Sequence, residues 1–137
     1  MNSSEKQFQT LIAHVEVRCN KMLQENNYVL PIGLLINSKD EVEIVIATLD
    51  ISDQIQELVN HVQTGLTEKV KTGNFKASCI AYPDYENSVV VTLLEDAENY
   101  CATVNIPVVT EPTTKLVASN SEVLDGKCYI FPIKQGS

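Results

Sequence analysis

The run at residues 28–36, YVLPIGLLI, constrains this chain more than any other feature. It is apolar at successive positions, so both faces of a strand built from it need cover. Pro31 cannot donate to a ladder and Gly33 packs no side chain, which points to a bend, a bulge or an edge position. The tetrad Asn37-Ser38-Lys39-Asp40 is turn chemistry, and residues 42–49 (VEIVIATL) return as a second strand, so the pair reads as a β-hairpin.

The cover comes from two helical stripes. Phe8, Leu11, Ile12, Val15, Cys19, Met22 and Leu23 fall at offsets 0, 3, 4, 7, 11, 14 and 15, one face of a helix. Ser4 with Gln7 has the form of a capping box, and Asn26-Asn27 supplies a stop. A second helix is predicted from about Ser52 to Thr72, capped by Asp50 or Ser52 and followed by Gly73. Its stripe is Ile55, Leu58, Val59, Val62, Leu66 and Val70. Gly65 inside it costs about 1 kcal/mol against Ala, which a close helix approach explains.

Three strands follow at 75–82, 88–94 and 100–108, joined by the turns at 83–87 and 96–99. Connections this short make an antiparallel meander. Segments 115–118 and 128–131 are candidate short extra strands separated by turn-rich residues. The expected fold is therefore α+β: an antiparallel five-stranded sheet with two helices in the order αββαβββ, as a single domain over residues 1–137. In the strand at 88–94, Val89, Val91 and Leu93 point to one side and Val90 and Leu94 to the other. Two helices packed on one side would leave the other apolar and bare, so a homodimer is expected. One helix on each side, with segment 115–132 filling the gap, would permit a monomer.

The net charge is −8, and residues 77–125 alone carry eight acids against one base, Lys115. Such a surface repels phosphate, which disfavours nucleic acid and favours a basic protein partner. No apolar run reaches the roughly 18 residues of a membrane helix, and no secretory signal opens the chain, so a cytoplasmic protein with no membrane partner is expected. Cys19, Cys79, Cys101 and Cys128 form no CxxC pair and stand at no zinc spacing, so four reduced thiols are expected.

Catalytic signatures are missing. There is no G-x-S-x-G elbow, P-loop or G-x-G-x-x-G. His14 and His61 flank their helices' apolar stripes and read as surface residues. Glu95, Asp96 and Glu98 are the densest acidic cluster, but they lack the EF-hand spacing and sit in turn-like sequence. With Asp84 and Glu86, placed at the opposite end of the same strand, they make a candidate acidic interaction surface. No catalytic residue, metal or cofactor is assigned.

The order αββαβββ resembles that of the roadblock and profilin-like folds, although the closing helix of those folds is missing. Pro31-Ile32-Gly33 before a hairpin, with Glu95-Asp96 later, is similar to a group of small uncharacterised bacterial proteins without an established activity. The roadblock resemblance implies a non-enzymatic, homodimeric protein-interaction module. Two alternatives stand beside it. One is an acidic inhibitor or chaperone, of the immunity, antitoxin or type III secretion-chaperone type, that masks a basic protein. The other is a small-ligand binder using the cleft between sheet and helix.

Overall fold

The computed structural model describes residues 3–26, 28–46, 54–110, 113–127 and 130–131, with side chains from residue 5 onward. Its elements are α1 (Ser3–Asn26), β1 (Ile32–Asn37), β2 (Val42–Ile46), α2 (Ile55–Thr72), β3 (Phe75–Asp84), β4 (Val89–Asp96), β5 (Cys101–Val109), β6 (Lys115–Leu116) and β7 (Glu122–Asp125). A short 3-10 turn at Ala118–Asn120 separates the last two strands. The α+β class and the antiparallel sheet are as expected, but the sheet has seven strands and not five. Its order is β2-β1-β3-β4-β5, and β6 and β7 share the outer edge of β5 at opposite ends.

The run at 28–36 becomes an inner strand. β1 lies between β2 and β3, and Ile32 through Ile36 are all buried. Pro31 precedes the strand, and Gly33 sits in regular register with Val45 and Ile80, so neither marks an edge or a bulge. The reason for Gly33 is α2: a Cβ there would lie 2.7 Å from Val62 Cγ1 and 3.0 Å from both Leu66 methyls. Gly65 answers from the helix side, where a Cβ would meet Val45 Cγ1 at 3.0 Å. Two glycines thus let the helix backbone settle close to the sheet.

The helices lie on opposite faces. Leu11, Val15, Cys19 and Leu23 of α1 pack with Ile32, Leu34, Ile36, Ala77, Cys79, Ala81, Val90, Leu94, Val104 and Ile106. Val59, Val62 and Leu66 of α2 pack with Leu35 and Ile80, joined by Ile130 and Phe131. All thirteen residues of the two predicted stripes are buried or half-buried. The premise that led to a dimer, both helices on one side, is therefore not met.

Smaller corrections follow from the ends of the elements. α2 begins at Ile55, with Gln54 as an N-cap that makes no side-chain bond; Asp50 and Ser52 lie outside the described residues. Gly73 is extended and does not take the left-handed conformation of a C′ glycine. The segment 120–126, read as turns, contains β7, whereas Ile130 and Phe131 are not in a strand. The three hairpins each turn on one residue with positive φ: Asp40, Ser88 and Asn99.

Candidate interaction surface

α2 packs over β1, β2 and β3 and leaves the other half of its face open. Cross-strand register defines that half, because directly paired residues share a face. Asp84, Val89 and Pro107 form one row; Tyr82, Val91, Asn105 and Glu122 form the next. Ile80, Leu93, Thr103 and Leu124 make the third, nearest the helix-side core. Val89, Val91, Pro107 and Val109 are only half-buried. On β7 every residue is exposed, with Val123 at 68 % and Leu124 at 43 %. Leu124 carries this face onto an edge strand that pairs only with β5 among the described residues, whereas Val123, paired with Val104 of the α1-side core, lies on the opposite face.

The five acidic residues of the expected surface divide. Asp84 and Glu86 stand at the β3–β4 turn, where the Asp84 carboxylate accepts from the Asn87 side chain at 2.7 Å; Glu86 is exposed. Glu98 is exposed at the opposite end of β4. Glu95 and Asp96, each 3 % exposed, face inward and serve the fold. Asp96 Oδ1 accepts from the Glu98 and Tyr100 amides at 2.9 and 3.0 Å and so shapes the β4–β5 turn. Glu95 Oε1 accepts from the Ile130 and Phe131 amides at 2.7 and 2.6 Å. A buried carboxylate thereby binds two backbone donors that the apolar side chains of Ile130 and Phe131 carry into the core.

Sequence reasoning missed Glu122 and Asp125, which flank Val123 and Leu124 on β7 and are exposed. The only signal available was the pattern acid-apolar-apolar-acid, too short to separate from a turn. Register puts Glu122 on the open half, in the row of Val91 and Asn105, and Asp125, paired with Ala102 and through it with Leu94, on the α1 face.

Cysteine behaviour also divides by face. Cys19 and Cys79 are free thiols buried against α1; burial pushes Cys19 up to about 12 and Cys79 higher still, with the Cys19 charge adding to the effect on Cys79. Cys101 is disulfide-bonded, contrary to the expectation of four reduced thiols. Register places it directly opposite Glu95, across the β4–β5 turn. Cys128 lies outside the described residues.

Another hollow, of about 370 Å³, lies between the first turns of α1 and the sheet and is lined by Lys6, Gln7, Thr10, Ile36, Asp40 and Lys76. Lys76 is bonded there to Asp40 at 2.6 Å. His14 is half-buried and His61 exposed, both on helix surfaces. Among the described residues no group of three or more His, Cys, Asp or Glu is arranged to hold a metal, and no described helix is long and apolar enough to cross a membrane. No protein-family model matches the chain, and no curated protein or solved structure matches it.

Proposed function

We propose that this protein is a non-enzymatic protein-interaction module that holds a basic protein segment against the open half of its sheet. The observation that carries this reading is the exposed strand β7, whose Leu124 extends the face of the half-buried strip of Val89, Val91 and Pro107. The acids on or beside this face, Asp84, Glu86 and Glu122, favour a partner that alternates apolar and basic residues. An extended segment added beside β7 would gain backbone hydrogen bonds from the edge and side-chain contacts from the strip.

Homodimerisation through the same surface is the second reading, favoured by the apolar strip itself. Charge weighs against it. In an antiparallel pairing of β7 with its own copy centred between Val123 and Leu124, Glu122 would stand opposite the copy's Asp125. Like charges directly opposite destabilise a strand pair. The reading as an acidic inhibitor or chaperone therefore gains over the homodimer.

Two measurements separate these outcomes. A cationic peptide alternating valine and lysine, titrated at low and at physiological salt, is expected to shift the amide resonances of β4, β5 and β7 and to bind more weakly as salt rises. Shifts confined to other elements, or none at millimolar peptide, would overturn the proposal. Sedimentation equilibrium of the protein alone is expected to give about the monomer mass of 15.2 kDa. A concentration-dependent rise to twice that mass, abolished by Val91→Glu, would favour the homodimer.

A further inference from the structure

We infer that the hollow between the first turns of α1 and the sheet is a binding site for a metabolite-sized organic anion, a carboxylate or a phosphate ester that also carries a hydroxyl group. Its volume of about 370 Å³ falls within the range of small-molecule sites, roughly 300–1,000 Å³. Three parts of the fold line it: Lys6, Gln7 and Thr10 of α1, Ile36 with Asp40 of the β1–β2 hairpin, and Lys76 of β3. It lies on the α1 face, whereas the partner surface proposed above lies on the α2 face, so neither reading depends on the other.

A β-bulge delivers Lys76 to this hollow. Ile36 pairs with Ala77 and Asn37 with Phe75, so Lys76 is the extra residue, opposite no residue of β1. Bulges re-aim side chains in this way and are frequent beside binding sites. The Lys76 backbone is held in place, because its carbonyl accepts from the Ala97 amide at 3.0 Å. Asp40 is held too. Asn37 Oδ1 accepts from the Lys39 and Glu41 amides on either side of it, at 2.9 and 3.0 Å, and the Asp40 amide donates to the Asn37 carbonyl at 3.0 Å. Lys76 donates to Asp40 Oδ1 at 2.6 Å, which uses one of the three donors of its ammonium. The Lys6 ammonium forms no ion pair among the described residues. Two cations from separate elements thus meet one acid, a local excess of positive charge on a chain of net charge −8. Lysine binds oxyanions as a point charge, so carboxylate and phosphate oxygens both suit it. The Asp40 carboxylate has lone pairs left for a hydroxyl, and the buried Ile36 offers an apolar floor for carbon atoms. An anion without a hydroxyl would meet Asp40 uncompensated, which is why the site favours a hydroxylated one.

Titration of the whole chain followed by amide resonances tests the site, with glycerate and glycerol phosphate as probes and with glycerol and sodium chloride, at matched ionic strength, as controls. At least one of the two acids is expected to give saturable shifts at Lys6, Gln7, Thr10, Asp40 and Lys76, and the one that saturates at lower concentration tells carboxylate from phosphate. Glycerol and sodium chloride are expected to give none. Lys6→Gln and Lys76→Gln should each weaken binding by about tenfold or more, as loss of a hydrogen bond to a charged group does. Lys39→Gln removes an exposed cation of the same turn that does not line the hollow, and should change affinity less than about twofold. Gln7→Lys adds a cation to the hollow and should tighten binding several-fold, a gain that misfolding cannot produce. No saturation by either acid up to about 10 mM, a concentration at which even millimolar affinity would show, would overturn the inference. So would equal shifts with sodium chloride, or a loss in Lys39→Gln as large as in Lys6→Gln and Lys76→Gln.

Discussion

The two faces of the sheet are built differently. On the α1 side, one long helix covers β1, β3 and β4, and the segment after β5 closes the remainder. That segment is tied to the helix by polar side chains: Asn20 Oδ1 accepts from the Leu116 amide at 2.7 Å, and Glu16 Oε2 from the Ala118 amide at 2.8 Å. On the α2 side, cover is assembled from a shorter helix and the pair Ile130–Phe131, and part of β4 and β5 stays half-exposed. The difference assigns roles. A closed face supplies burial, the main favourable term in folding. A face covered in pieces holds less buried apolar contact, so it is expected to open locally at lower free energy than the closed one.

The largest expected effect tests that division. Leu11 and Leu34 are fully buried on the α1 face, so Leu11→Ala or Leu34→Ala is expected to cost about 2–5 kcal/mol. Val91→Ala on the open half of the α2 face is expected to cost under about 1 kcal/mol, because its side chain is already half in water. Urea denaturation of the three variants gives the comparison. Equal losses at Leu11 and Val91 would mean that the open half is covered in solution, and the contrast between the faces would fail.

Gly33 gives the next effect. A methyl at this position must displace Val62 and Leu66, both fully buried, so Gly33→Ala is expected to destabilise by about 1–3 kcal/mol through overpacking. Gly33→Ala combined with Val62→Ala should recover part of the loss, since the methyl then occupies space vacated by Val62. Additive losses in a double-mutant cycle would show that α2 does not seat on Gly33.

How much of this was legible in the sequence depends on the range of the interaction. The stripes of α1 and α2 were readable because a 3.6-residue period is a local property, and the hairpins because turn chemistry occupies adjacent residues. The alternation of Val89, Val90, Val91, Leu93 and Leu94 assigned each to a side of β4, and the packing of Val90 and Leu94 with α1 and of Leu93 with α2 agrees. What was not readable lies between distant residues. Gly33 answers to Val62 and Leu66, far along the chain. Glu95 looks like a turn acid beside Asp96, yet it is turned inward by donors 35 and 36 residues away. β7 has no run of apolar residues, and pairing with β5 imposes its extended form. Which face each helix would take was likewise undecided, because both stripes fit either side.

A smaller effect of opposite sign belongs to the closed face. Thr92 is fully buried there among Val90, Leu94 and Val104, and its hydroxyl has no hydrogen-bond partner among the described residues. Burying an unpaired hydroxyl costs free energy, so Thr92→Val, which keeps the shape, is expected to stabilise by about 1 kcal/mol. A rise in urea midpoint at unchanged slope checks it. A fall would show that the hydroxyl is satisfied in solution and that the α1 face is less dry than its packing suggests.

The smallest expected effect separates the faces by pH. Lys69 of α2 bonds to Glu43 of β2 at 2.7 Å, and Asn37 donates to the same carboxylate at 3.1 Å. The Lys69 bond, and then the Asn37 bond, hold Glu43 below its ordinary value of 4.5. A lowered carboxylate value means the folded state binds the proton less readily than the unfolded chain. The contribution is therefore fully present above the ordinary carboxylate range and is lost as pH falls through the lowered value. Both side chains are more than a third exposed, 41 % and 35 %, so water screens the pair and its worth is at most about 0.5 kcal/mol. Glu43→Gln should lower the midpoint of thermal unfolding slightly at pH 7, and the gap to the unsubstituted protein should close in acid and in high salt. Because this pair ties α2 to the edge strand, hydrogen exchange should find the small loss in α2 and β2 and not in α1. A gap that widens in acid, or protection lost from α1, would show that the two faces respond as one unit.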